Sequence, residues 1–281
     1  MVVHRQERYH AFTAMRKLQI TLCAAAVLLA ACRDAKPRVQ AADSAAVEFE
    51  MRTFEKTRPG CGDHGSRAQA CVSFRAVWPE MKGGAGNAAA KMNAAVLAAI
   101  GFPEGPAKMD PFGDELIEHW RVEHRGAVYN DSTWFERRSV QVLARRPGVW
   151  SFQVDRIGQT GAALPFNERT YLNLNPRTGD PVVLSDLLAR GGESRLVELA
   201  EQRLRAEMNL SGDAPLPFKE APLSLPGQFA LSPAGITLRW SGDALRAPLS
   251  APVEIAIPWS DARDLVQTTA VQPPPDAVEG F

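Results

Sequence analysis

Three groups of residues in this chain could do chemistry by type and spacing: the histidines of His119-Trp120-Arg121-Val122-Glu123-His124, the cysteines, and the acidic cluster Asp110, Asp114, Glu115 and Glu118. Two metal ligands on one helix share a face when they lie four residues apart. These histidines are five apart, about 140° around a helix, so they read as surface residues and no metal ligand is assigned. Cys61, His64 and Cys71 lack a clear fourth ligand. The acidic cluster falls at a helix start, where anions complement the dipole and need no catalytic role. The sequence has no Gly-rich phosphate loop closing in Lys-Ser/Thr, no G-x-G-x-x-G after a strand and no G-x-S-x-G elbow. No catalytic residue and no cofactor is expected; an enzyme would need a carboxylate pair that the sequence does not reveal. Binding residues are easier to nominate. Trp78, Trp150 and Trp240 lie on the apolar phase of their segments and read as core, whereas Trp134 and Trp259 flank turns and could be exposed anchors for a partner or glycan. The basic pairs Arg137-Arg138 and Arg145-Arg146 offer a patch against anionic polymers, or else a solvated strand face. Trp134, Trp259, Arg137 and Arg138 are the candidate ligand-binding residues.

These side chains must be held by an α+β arrangement. Alternating apolar residues predict strands at Val47–Met51 and Val72–Trp78, the second ending at Pro79. Helical spacing follows at Ala89–Ile100, closed by Gly101 and Pro103, and at Asp114–Arg125. Val140–Ala144, a Pro147-Gly148 turn and Trp150–Val154 predict a hairpin. A strand at Thr170–Asn175 turns through Pro176-Arg177-Thr178-Gly179-Asp180 into Val182–Leu184, with a short helical piece at Asp186–Ala189. A longer helix is predicted at Ser194–Met208, a second hairpin at Phe229–Leu231 and Ile236–Trp240, a last strand at Val253–Ile257 and a short helix from Ser260 to Val266. Strands joined by hairpin turns, with helices in blocks, point to antiparallel β-sheet with helices packed on one side, in one or two tightly associated subdomains. The expected division is 1–31 signal, 32–46 flexible tether, 47–155 and 156–268 folded, and 269–281 a disordered tail.

The chain has 281 residues, 45% apolar, with 32 basic and 32 acidic side chains. That balance argues against a dedicated nucleic-acid binder. A core of this size buries roughly 70–75% of the unfolded surface, enough to fold without a metal framework. The apolar run Leu22–Ala31 follows Arg16 and Lys17 and is too short for a bilayer, which takes about twenty residues; it reads as a secretory signal. Its exit, Leu29-Ala30-Ala31-Cys32, resembles the lipobox of bacterial lipoproteins. That resemblance implies cleavage between Ala31 and Cys32, acylation of Cys32, and membrane lipid as a partner. Met15 then reads as the true start. Arg33, where enteric lipoproteins kept at the inner membrane usually carry Asp, favours the outer membrane, facing the periplasm. Loss of residues 1–31 leaves 28 basic and 31 acidic residues and three histidines. With Cys23 removed and Cys32 acylated, Cys61 and Cys71 are left as an even pair in an oxidising compartment, and a disulfide is expected.

The order of pieces resembles a known family. Thr160-Gly161-Ala162, Tyr171-Leu172-Asn173-Leu174-Asn175, Thr178-Gly179-Asp180, Val183-Leu184-Ser185-Asp186-Leu187-Leu188, the helix to Met208, Phe229-Ala230-Leu231, Gly235-Ile236-Thr237-Leu238 and Val253-Glu254-Ile255-Ala256-Ile257-Pro258 resemble the ectodomain of RsiV, the lysozyme-sensing anti-sigma factor. The segment Val77-Trp78-Pro79 ahead of a helix containing Asn93 resembles the module that precedes this domain in PdaC-type peptidoglycan deacetylases. The family's T-G-G-A-H-P turn is altered: Ala163-Leu164-Pro165 stand where its last three residues would be, and its histidine is absent. The resemblance implies a non-catalytic, lipid-anchored envelope protein that binds lysozyme or a peptidoglycan-related ligand. The alternatives are an envelope hydrolase acting through paired carboxylates and a structural partner in an outer-membrane assembly.

Overall fold

The computed structural model describes residues 46–59, 61, 71–125, 133–161, 164–212, 214–219, 222–246 and 251–271. The signal, Ala31, Cys32, residues 33–45 of the tether, His64 and residues 272–281 lie outside the described residues; residues 269–271, expected in a disordered tail, belong instead to a short helix, Thr268–Val271, whose Val271 is buried.

The first layer is a five-stranded sheet in the order β1 (Glu48–Thr57), β2 (Val72–Lys82), β3 (Trp134–Arg145), β4 (Trp150–Gln159) and β5 (Phe166–Leu174). The alternation of Val72, Phe74, Ala76 and Trp78 puts all four in the core. β2 runs past Pro79 because its pairing with β3 covers only Val72–Val77. Beyond that point the missing N–H of Pro79 interrupts no ladder on that side, while Met51 pairs opposite it in β1. β2 and β3 are parallel, which makes the sheet mixed and corrects the expectation of antiparallel pairing throughout. A parallel pair needs a crossover of a dozen or more residues. Helices α1 (Ala88–Ala99) and α2 (Met109–Glu123) supply it, and both pack on β2.

α1 ends in a left-handed Gly101 (φ 82°), with the Phe102 N–H donating to the Leu97 carbonyl (2.8 Å) and the Gly101 N–H to that of Ala98 (2.9 Å). A β-carbon at Gly101 would strike Arg138 Nη1. α2 starts five residues before the sequence expectation, at Met109. Pro111 then falls in the first turn, where its missing N–H would have had no helical partner anyway.

The second layer is an antiparallel sheet in the order β6 (Gln228–Leu231), β7 (Gly235–Trp240) and β8 (Val253–Pro258). It is completed by α3 (Leu184–Leu187), α4 (Gly192–Glu207), α5 (Trp259–Ala262) and α6 (Thr268–Val271). Each layer has its own core. Phe74, Met92, Val96, Met109 and Phe152 fill the first, and Leu196, Leu204, Phe229, Leu231 and Ile236 the second. The boundary expected after residue 155 falls inside β4, and the first sheet continues to Leu174. The described residues all fall in one compact unit.

Buried polar groups pin β6 to β4 and β5. Ser151 Oγ donates to Asn173 Oδ1 (2.5 Å) and accepts from the Leu231 N–H (3.0 Å), and Asn173 Nδ2 donates to the Phe229 carbonyl (2.7 Å). Nearby, burial and then the hydrogen bond donated to Glu254 push the Tyr171 phenol from 10.0 up to about 12. The folded state thus holds this proton more tightly than the unfolded chain. The stabilisation is complete below pH 10.0 and should be lost as pH rises toward about 12. A tyrosinate absorbance titration checks this: Tyr171 should ionise late, and ionisation of every tyrosine together near the ordinary value would contradict it.

Cys61 and Cys71 are joined in a disulfide, with Cα atoms 5.5 Å apart, linking the exit of β1 to the entry of β2. Replacing both with serine should lower stability by about 2–3 kcal/mol on the chain-entropy account. A urea midpoint unchanged by the substitution would contradict that contribution.

Candidate functional site

Turns distant in sequence meet at one end of the first sheet around a cavity of about 660 Å³. Arg145 closes β3, Arg146 and Pro147 form the turn into β4, and Trp150 opens β4. Pro176 and Arg177 follow β5, Gly84 and Ala85 precede α1, and Ala46 and Val47 lead into β1. The chain needs glycine at position 84: φ is 79°, and a β-carbon would lie 2.6 Å from Val47 Cγ2.

Each arginine is held in place. The β3–β4 turn is closed by the Arg146 N–H donating to the Val149 carbonyl (2.9 Å), and α6 buttresses it through the Gly148 N–H and the Ala270 carbonyl (2.8 Å). Arg145 lays its guanidinium 4.7 Å from the centre of the Trp150 ring and 5.8 Å from that of Phe49. The Arg177 turn is fixed by its N–H donating to Asn175 Oδ1 (2.9 Å) and by the Lys91–Asp180 ion pair (2.8 Å) that ties it to α1. The hydrogen bond from Lys91, and then that from Thr178, hold the Asp180 carboxyl below its ordinary range. Burial pushes the Arg146 guanidinium down from its usual value.

Among the described residues, neither Arg145 nor Arg177 has a carboxylate partner, and no acidic residue lines the cavity. Arg145 and Arg177, exposed beside a partly apolar space, offer a receptor for carboxylate or phosphate, which arginine meets with paired N–H groups.

The sequence candidates divide. Arg145-Arg146 lies in the cavity; Arg137-Arg138 does not. Arg138 is buried, giving Nε (2.8 Å) and Nη2 (2.7 Å) to Glu136 and Nη1 to the Ile100 carbonyl (2.7 Å); it lines a separate cavity of about 400 Å³, where Glu136 already balances its charge. Arg137 is exposed over the Phe135 ring on the opposite face of β3. Trp134 and Trp259 are each only 4% exposed, which corrects the expectation of surface anchors. Flanking a turn does not keep an indole in water when its N–H can reach a backbone carbonyl: Trp259 Nε1 donates to Ser232 (2.9 Å). Trp134 instead meets the ring of His124, 5.8 Å away, beside Trp120. Arg177 was missed because Pro176–Asp180 carries only turn signals.

Two smaller cavities lack comparable chemistry. Asp155 and Glu168 line one of about 400 Å³, but each is engaged by an arginine, Asp155 by Arg169 (2.8 Å) and Glu168 by Arg156 (3.5 Å). His119, Glu123, Trp134 and Gly161 line another of about 410 Å³. His124 is turned away from it, stacked on Trp120 and donating from Nδ1 to the Trp120 carbonyl (2.7 Å). Among the described residues no group of three or more His, Cys, Asp or Glu could hold a metal ion. None of their helices is long and apolar enough to cross a membrane.

This two-layer arrangement has counterparts among solved structures. The chain shares its fold with DUF3298 proteins. A DUF3298 family member from Bacteroides fragilis is 17% identical with a TM-score of 0.54, over 80% of this chain and 96% of that one. A DUF3298 family protein from Pseudomonas aeruginosa is also 17% identical, with a TM-score of 0.51, over 81% of this chain and 98% of that one. No family model matches the chain, and no curated protein matches it. At this identity the likeness is one of fold, and function has to be argued from the site.

Proposed function

We propose that this chain is a non-catalytic, lipid-anchored protein of the bacterial cell envelope, held by acylated Cys32 at the outer membrane and facing the periplasm, where it binds peptidoglycan-derived material. The arginine cavity is the observation that carries this reading, because wall peptides are anionic and the cavity presents cations without carboxylates among its described lining residues. The Leu29-Ala30-Ala31-Cys32 segment supports the anchor, and the DUF3298 fold agrees with the RsiV- and PdaC-like sequence features. Of the two ligands that resemblance offers, lysozyme is itself strongly basic and would be repelled by this cavity.

The test offers the full chain, purified in neutral detergent, to peptidoglycan sacculi and to immobilised hen lysozyme. Salt-sensitive retention on sacculi is expected. Retention on lysozyme with none on sacculi would overturn the assignment. In cells, Cys32→Ser should move the protein out of the membrane fraction; unchanged membrane association would contradict the anchor.

A further inference from the structure

We propose that the arginine cavity recognises the peptide portion of its ligand, as a short acidic peptide bearing at least two carboxylates, and does not recognise the sugar. The inference rests on the reading of the cavity as the binding site of a wall-binding protein, and it narrows the ligand class. Sugars dock on open aromatic faces, and the aromatic surface here is occupied. Trp150 is 4% exposed, with Arg145 over its ring and Phe49 edge-on against it at 6.1 Å. Among the described lining residues it is the only aromatic.

The charges point the other way. Arg145 stands on the β3–β4 turn and Arg177 on a separate turn after β5, so a ligand with two anionic groups can offer one to each turn. A ligand that displaces water from these guanidiniums without replacing its hydrogen bonds leaves cations desolvated and unpaired, which is unfavourable. Two carboxylates on one body satisfy both turns. Val47, Ala85, Pro147 and Pro176 supply apolar wall for the aliphatic part of such a body. A volume of about 660 Å³ accommodates a few residues of peptide and is far more than an isolated phosphate fills.

Calorimetric titration of the full chain in neutral detergent tests this with triglutamate, trialanine, chitotetraose, pyrophosphate and phosphatidylglycerol vesicles as probes. Triglutamate should bind at least about tenfold more tightly than trialanine, a difference of about 1.4 kcal/mol, and chitotetraose should give no binding heat. Arg177→Glu, on an exposed turn, should keep the wild-type melting temperature and weaken triglutamate binding by about tenfold or more. Arg145→Gln should weaken it too, and the Arg177 variant keeps the test valid if loss of the Trp150 contact disturbs that turn. Chitotetraose binding as tightly as triglutamate, or triglutamate binding untouched by Arg177→Glu, would overturn the proposal. So would pyrophosphate or the vesicles binding more tightly than the peptide through Arg177. Sacculus retention without triglutamate binding would overturn the peptide assignment alone; loss of sacculus retention would overturn the wall-binding reading beneath it.

Discussion

Glu136→Ala is expected to destabilise the protein by about 3–5 kcal/mol, the range for removing one partner from a buried ion pair. The Glu136 side chain is 4% exposed and accepts from Arg138 and from Arg156 Nε (2.8 Å). Arg156 is nearly half exposed and can turn to water. Arg138, at 9%, cannot: it sits among the rings of Phe74, Phe102 and Phe112 and would keep only the Ile100 carbonyl. The loss should come mainly from stranding that cation, so Glu136→Leu combined with Arg138→Met should recover most of it. Urea denaturation of the single and double variants separates the cases. A single variant within about 1 kcal/mol of wild type would mean that the pair behaves as a solvated surface bridge.

Trp134→Ala and Trp259→Ala should each cost about 3–5 kcal/mol, as large-to-small changes in a packed core do. Trp134 closes the first core against His124, and Trp259 closes the second while its indole N–H is satisfied by the Ser232 carbonyl. Exposed anchors would behave in the opposite way, with little change in stability and weakened ligand binding. Melting curves recorded beside sacculus retention distinguish the two roles. Trp259→Phe should be milder than Trp259→Ala, since it keeps one aromatic ring and forfeits the hydrogen bond, about 0.5–1.5 kcal/mol, together with the contacts of the lost five-membered ring.

Strand and helix identity was legible where one periodicity ran unbroken, as in Val72–Trp78, Trp150–Val154 and the helix ending at Glu207. The start of β3 was not. Its buried face carries Glu136 and Arg138, which break the apolar alternation and make sense only once they neutralise each other in space. Pro111 and Gly113 hid the first turn of α2: the proline occupies a position that needs no N–H, and Gly113 lets the Lys56 stem pass where a β-carbon would come within 2.7 Å. The parallel β2–β3 pair was invisible because local patterning carries no information about how a chain returns after a crossover. The cavity was half legible. Arg145-Arg146 stood out as a basic pair, but the meeting of that pair with Arg177, Val47 and Ala85 is a property of the closed sheet.

The most direct test of the central claim is co-sedimentation of the full chain with peptidoglycan sacculi, comparing wild type with the Arg145→Glu/Arg177→Glu double variant from low to physiological salt. Both altered side chains are exposed and free of carboxylate partners among the described residues, and a melting curve recorded beside the assay checks that loss of the Arg145–Trp150 contact leaves the variant folded. Wild-type protein should pellet with sacculi, less so as salt rises, and the variant should remain in the supernatant at every salt concentration. Equal pelleting of the two proteins would contradict the cavity as the binding site.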